Sequence, residues 1–152
     1  MRIIPFLEEA ALLEDTLASC YGALAKVAAG EALTLKFQQL EREENNHARI
    51  IRAGKNYELK APDVFDKANV DVTEIKSGSS SARLVLEDVR SSRIDFRVAV
   101  SRLRNLEARF EKIHLDTLVS FNDEMLRELF RNMARDDRRH VDVLEEILSG
   151  LK

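Results

Sequence analysis

The chain has 152 residues, of which 45% are hydrophobic and 34% charged, and its net charge is −3. That length suits one domain with a real core and is too short for two comfortable ones. The slight acidity argues against nucleic-acid binding, and 5 Gly and 2 Pro leave little material for a many-turned all-β fold.

No apolar run approaches the roughly 20 residues needed to span a bilayer. The N-terminus MRIIPFLEEA turns acidic by residue 8, which leaves too short a core for a signal peptide. Cys20 is the only cysteine, so no internal disulfide is available. A buried small residue is the plain reading of it, and the cytoplasm is the natural compartment.

Taken in order, the first element is a helix over about 5–28. Pro5 suits its first turn, and Leu13, Leu17, Leu24 and Ala28 recur at helical spacing before Gly30 breaks it. A second helix covers about 31–53 through Leu33, Phe37, Leu40, Ile50 and Ile51, with Gly54 as its stop. A less regular connection follows over about 55–91. It contains KAPDVFDKANVDV, then SGSSSA, then the short helical pattern ARLVLEDVR. The third helix spans about 92–120 through Ile94, Val98, Leu103, Leu106, Phe110, Ile113 and Leu118, with Arg97, Arg102, Arg104 and Arg109 as its solvated face. Asn122 or Asp123 caps a fourth helix over about 124–148, which carries Leu126, Phe130, Met133, Val141, Leu144 and Leu148. A short turn, one long crossover and a second short turn give an all-α chain of two helical hairpins, the ferritin-like four-helix arrangement, in one domain over 1–152.

The two hairpins repeat each other at an offset of 93 residues. Leu13 falls on Leu106, Glu14 on Glu107, Glu31 on Glu124, Phe37 on Phe130, Glu44 on Asp137 and His47 on His140. The spacing Glu44-x-x-His47 puts both side chains on one helix face, and Asp137-x-x-His140 does the same. Each hairpin turn, near 29 and near 122, lies 15 residues from its two carboxylates, which therefore sit at one height, roughly 22 Å along. Phe37, Glu44, His47 and Ile51 share a face, as do Phe130, Asp137, His140 and Leu144. The acidic groups thus lie on the apolar stripes. Four converging buried carboxylates need compensating charge. Two divalent cations would supply it, and oxygen donors with one imidazole per ion suit iron or manganese.

LEDTLASCYGALA, with Tyr21 seven residues after Glu14, is similar to the first helix of rubrerythrin-like proteins; FQQLEREENNHARII looks like their second and LFRNMARDDRRHVDVL like their fourth. The resemblance covers 5–53 and 97–148. It implies a di-iron centre with Glu14, Glu44, His47, Glu107, Asp137 and His140 as ligands, Glu44 and Asp137 bridging and Glu14 and Glu107 terminal. These ligands would themselves carry a redox reaction, the reduction of peroxide or dioxygen coupled to Fe(II) oxidation. A homodimer is implied as well. The four-cysteine rubredoxin module of full rubrerythrins is absent, so electrons would come from a separate donor, such as a rubredoxin-type or flavin reductase protein. Asp137 is one methylene shorter than Glu. The extra third-helix carboxylate of the peroxidases falls nearest to Glu111, which either substitutes for it or is solvated. His114 reads as a hydrogen-bonding group behind the ligands or as a partly exposed helix histidine. Tyr21 reads as hydrogen-bonding support or packing. A ferroxidase or iron-storage subunit and a helical interaction module with a vestigial metal site are the alternative readings.

Overall fold

The computed structural model describes residues 3–60, 72–118 and 124–151. Among them the chain is all-helical: α1 (Ile3–Val27), α2 (Glu31–Lys60), α3 (Val72–Arg90), α4 (Phe96–Leu118) and α5 (Glu124–Gly150). No described helix is long and apolar enough to cross a membrane. The KAPDVFDKANVDV segment beyond Lys60, the second hairpin turn and its Asn122 or Asp123 cap lie outside the described residues.

α1 is the most apolar helix and lies against both α2 and α3; α4 lies against α5 and, less extensively, against α3; α2 meets α5. Leu13, Leu17 and Leu24 of α1, Phe37, Leu40 and Ile51 of α2, and Phe130, Met133 and Leu144 of α5 are buried in a single core. The apolar stripes of the three helices thus face inward, as their helical spacing requires. Gly30 forms the α1–α2 turn with φ +99°, a left-handed value that glycine adopts without Cβ strain. Its carbonyl accepts the Thr34 amide and so starts α2.

Three boundaries differ from the sequence expectation. α2 does not stop at Gly54; it runs to Lys60. A helix tolerates an interior glycine at about 1 kcal/mol, and Gly54 is buried opposite Leu126. The irregular connection over 55–91 holds a 19-residue helix, α3, in which SGSSSA is helical and partly buried. Its small residues let α3 approach closely: a Cβ on Gly78 would stand 2.5 Å from the Phe110 ring. The next helix begins at Phe96 rather than 92, because Asp95 Oδ1 accepts the Val98 amide at 2.8 Å and caps it there. With that start Ala99 and Val100 are buried and Val98 is 41% exposed, contrary to its expected core role.

The arginines of this helix are not simply a solvated face. Arg102 reaches Asp88 of α3 at 3.0 Å, Arg109 reaches Glu74 of α3 at 3.2 Å and Arg104 reaches Glu145 of α5 at 3.2 Å. Arg97 donates to the Leu151 carbonyl just past α5, so all four tie α4 to a neighbouring segment. Such half-exposed pairs contribute roughly 0–1 kcal/mol each, so they orient helices more than they stabilise them.

Candidate metal centre

Four helices bring the charged residues of the apolar stripes to one place. α1 supplies Glu14, α2 supplies Glu44 and His47, α4 supplies Glu107, and α5 supplies Asp137 and His140. All six are at most 1% exposed. Their donor atoms form two overlapping groups, Glu14–Glu44–His47 and Glu44–Glu107–Asp137–His140, with all atoms of a group within 4.8 Å of one another. Glu44 is the member common to both. Asp137, which the resemblance pairs with Glu44 as a bridge, joins the second group alone. It has the shorter arm, and His114 engages it.

The histidines are held from outside. Asp136 Oδ2 lies 2.9 Å from His47 Nε2, and Glu43 Oε2 lies 2.7 Å from His140 Nε2. Each imidazole thus has one nitrogen tied to a carboxylate of the opposite hairpin. Its Nδ1 turns inward, 3.1 Å from Glu44 for His47 and 2.7 Å from Glu44 for His140. The two rings stack with centroids 5.9 Å apart. Arg139 joins the outer carboxylates, 2.9 Å from Glu43 and 3.3 Å from Asp136. Gln39, Arg42, Glu43, Asn46, Asp136 and Arg139 line an open depression of about 530 Å³ over this face. Sequence reading missed Glu43 and Asp136, which look like ordinary wet positions beside the ligands. The signal was present, because the 93-residue offset that pairs Glu44 with Asp137 also pairs Glu43 with Asp136.

The remaining expected residues divide. Tyr21 is fully buried and its hydroxyl donates to Glu107 Oε1 at 2.5 Å. His114 is fully buried too, with Nδ1 2.5 Å from Asp137 Oδ2, so it is not a surface histidine. Glu111 is half-buried and joins neither group. Four residues past Glu107 it has turned about 40° around the helix, and Phe110 and His114 take the inward positions. Cys20 is buried, and burial pushes its thiol up to about 12, which leaves it inert as a nucleophile near neutral pH.

The electrostatics are those of a cluster short of positive charge. Burial raises the Glu44 carboxyl well above the ordinary range, and the charges of Glu107 and Glu14 add to the rise. Burial also lifts Asp137 to about 6, against the opposing pull of His114. Burial alone would raise Glu14, but adjacent His47 and Glu44, with the charge of His114, outweigh it and hold Glu14 down at about 2. Burial would likewise lower His47 and His140; the surrounding carboxylates overcome it and raise both far above the usual imidazole value. Protons therefore supply the balancing charge among the protein groups alone.

Even so, both Glu14 oxygens, Glu44 Oε1, Glu107 Oε2, His140 Nδ1 and His114 Nε2 are buried without a hydrogen-bond partner. Glu44 Oε1 and His140 Nδ1 are close but out of hydrogen-bond alignment. Buried polar atoms are rarely left so. Oxygen and imidazole donors converging without partners are what hard or borderline divalent cations take, so the residues fit a pair of such ions.

Comparison with protein-family models, with curated proteins and with solved structures finds no match for this chain.

Proposed function

We propose that the chain is a non-haem di-iron carboxylate protein of the rubrerythrin type, with α1, α2, α4 and α5 as a ferritin-like four-helix arrangement. It oxidises Fe(II) at the expense of peroxide or dioxygen. The observation that carries this reading is the pair of buried donor groups sharing Glu44. Glu14, Glu44 and His47 would hold one ion; Glu44, Glu107, Asp137 and His140 would hold the other. Manganese fits the same donors, and the resemblance favours iron.

An iron pair, when bound, supplies the two electrons that take one peroxide to water. The protein groups do the rest. Asp136 and Glu43 accept from Nε2–H of His47 and His140, which leaves each Nδ1 lone pair facing inward. Tyr21 holds Glu107 by one oxygen and leaves the other free. Phe37, Phe130, Ile51 and Leu144, all buried on the ligand stripes, keep bulk water from the cluster. Glu44, common to both groups, would be available to either ion. Within these 152 residues the one cysteine, Cys20, is buried, so the returning electrons come from outside this domain.

The test is to load the protein anaerobically with two Fe(II) per chain and add hydrogen peroxide in steps. The reading predicts rapid oxidation that ends at one peroxide per two irons. Iron that binds but does not react would sink the peroxidase role. A large hollow shell of many chains by size-exclusion chromatography would turn the reading towards storage, and a dimer would support the rubrerythrin type.

A further inference from the structure

All three histidines of the chain are buried at this cluster. Two of them, His47 and His140, follow one pattern: one nitrogen tied to a carboxylate, the other directed inward. His114 repeats the pattern from a different side. Its Nδ1 lies 2.5 Å from Asp137 Oδ2, close enough that the proton must sit between them. In the neutral ring Nε2 is then a bare lone pair. That nitrogen faces Glu14 Oε1 across 3.5 Å, and neither atom has a hydrogen-bond partner. Two buried acceptors facing each other repel unless a proton or a metal cation lies between them.

Glu14 is arranged to match. Its Oε1 faces His114 Nε2, and its Oε2 lies 3.8 Å from His47 Nδ1. The carboxylate has an imidazole on each side, and both of its oxygens are unpartnered. His114 is held upright by Asp137 and by edge-on contact with Phe130, ring centroids 5.9 Å apart. The 93-residue offset adds a contrast. It pairs His114 with Tyr21, and Tyr21 donates to Glu107, the counterpart of Glu14. In one half a hydroxyl that can only donate to the carboxylate occupies this place; in the other stands a nitrogen that can bind a cation.

We propose that His114 is a seventh ligand: its Nε2, 3.5 Å from Glu14 Oε1 but outside the group of donor atoms within 4.8 Å of one another, closes on the cation held by Glu14, Glu44 and His47 when that ion is bound. The two sites are then chemically unequal. One has two carboxylates and two imidazoles; the other has three carboxylates and one imidazole. The nitrogen-rich site favours the later, more nitrogen-seeking divalent ions, and the oxygen-rich site the harder ones. This rests on the metal-centre reading above.

The experiment uses the full chain loaded with two equivalents of Co(II), its histidines labelled with ¹⁵N at the ring nitrogens, and proton NMR of the paramagnetic protein. A ligating imidazole gives one strongly shifted, solvent-exchangeable ring N–H signal, from the nitrogen opposite the metal. Three such signals are expected, from His47, His114 and His140. His114→Gln should remove one and leave the other two. Two signals in the unaltered protein would overturn the proposal and leave the metal centre standing, with His114 reduced to orienting Asp137. No bound cobalt would overturn both. The unaltered protein decides the count, so a variant that fails to fold does not blunt the test.

Discussion

The α1–α2 half and the α4–α5 half of the site carry the same device in two versions. Each supplies a lone glutamate from its first helix and an acidic pair followed by a histidine from its second: Glu43, Glu44 and His47 against Asp136, Asp137 and His140. Each half also completes the other, since Asp136 holds His47 and Glu43 holds His140. Three differences between the copies bear on the site. Glu44 reaches both donor groups, while Asp137 reaches one. Tyr21 stands where the other half has His114. Asn46 stands where the other half has Arg139, which ties both outer carboxylates together. The repeat explains why the cluster exists; the departures make its two halves unequal.

The largest break in the comparison comes from the inner acids. Glu44→Ala removes the donor common to both groups and is expected to abolish binding of both ions. Asp137→Ala is expected to abolish one, read as bound metal per chain after anaerobic loading and desalting. Equal losses from the two variants would mean that the halves are interchangeable.

The pH response should separate the empty cluster from the filled one. His47, His114 and His140 all have raised values when folded. Their stabilising contribution is full below the unfolded value of about 6.5 and is lost as pH rises towards the folded values. Glu14 and Glu43, held down at about 2, act in the opposite sense, but their contribution is complete above about pH 5 and lost only in acid. The metal-free protein should therefore melt at a lower temperature at pH 8.5 than at pH 6.5. Metal must displace the same protons, so the Co(II)-loaded protein should gain over that range. Calorimetry with and without the ion checks it, and parallel curves would count against shared occupancy of these groups.

The outer acids should matter less and equally. Asp136→Asn and Glu43→Gln each leave a histidine without its carboxylate anchor, a change expected to cost about 10–100-fold in metal affinity. Titration with a competing chelator would measure it. The smallest effect is expected from Tyr21→Phe, which strips one hydrogen bond from a buried carboxylate. About 1–3 kcal/mol of stability should be lost in the metal-free protein, and less once an ion holds Glu107. Urea unfolding in both states would show the difference, and the same loss in both would place the Tyr21 bond outside the metal centre's influence.

Periodicity and the internal repeat made α1, most of α2, α5 and all six inner donors legible before any coordinates, because buried charge on an apolar stripe is a strong local signal. Other features depend on contacts that no local pattern encodes. SGSSSA reads as a loop by composition, yet Gly78 and its neighbours are helical because small residues are what the approach of α3 to Phe110 requires. Gly54 reads as a stop, and packing against Leu126 carries the helix through it. Glu43 and Asp136 look solvated along their own helices. They become histidine anchors only when the two hairpins face each other. His114 lies off the ligand positions of the repeat; its sequence leaves open a hydrogen-bonding group or an exposed histidine, and its buried place between Asp137 and Glu14 selects the first.

The most direct test of the metal centre is an anaerobic Fe(II) titration of metal-free protein, read as bound iron per chain. Two irons per chain is the predicted result. None would contradict it and leave the buried carboxylates and histidines as a proton-balanced cluster that serves only the packing of the helices.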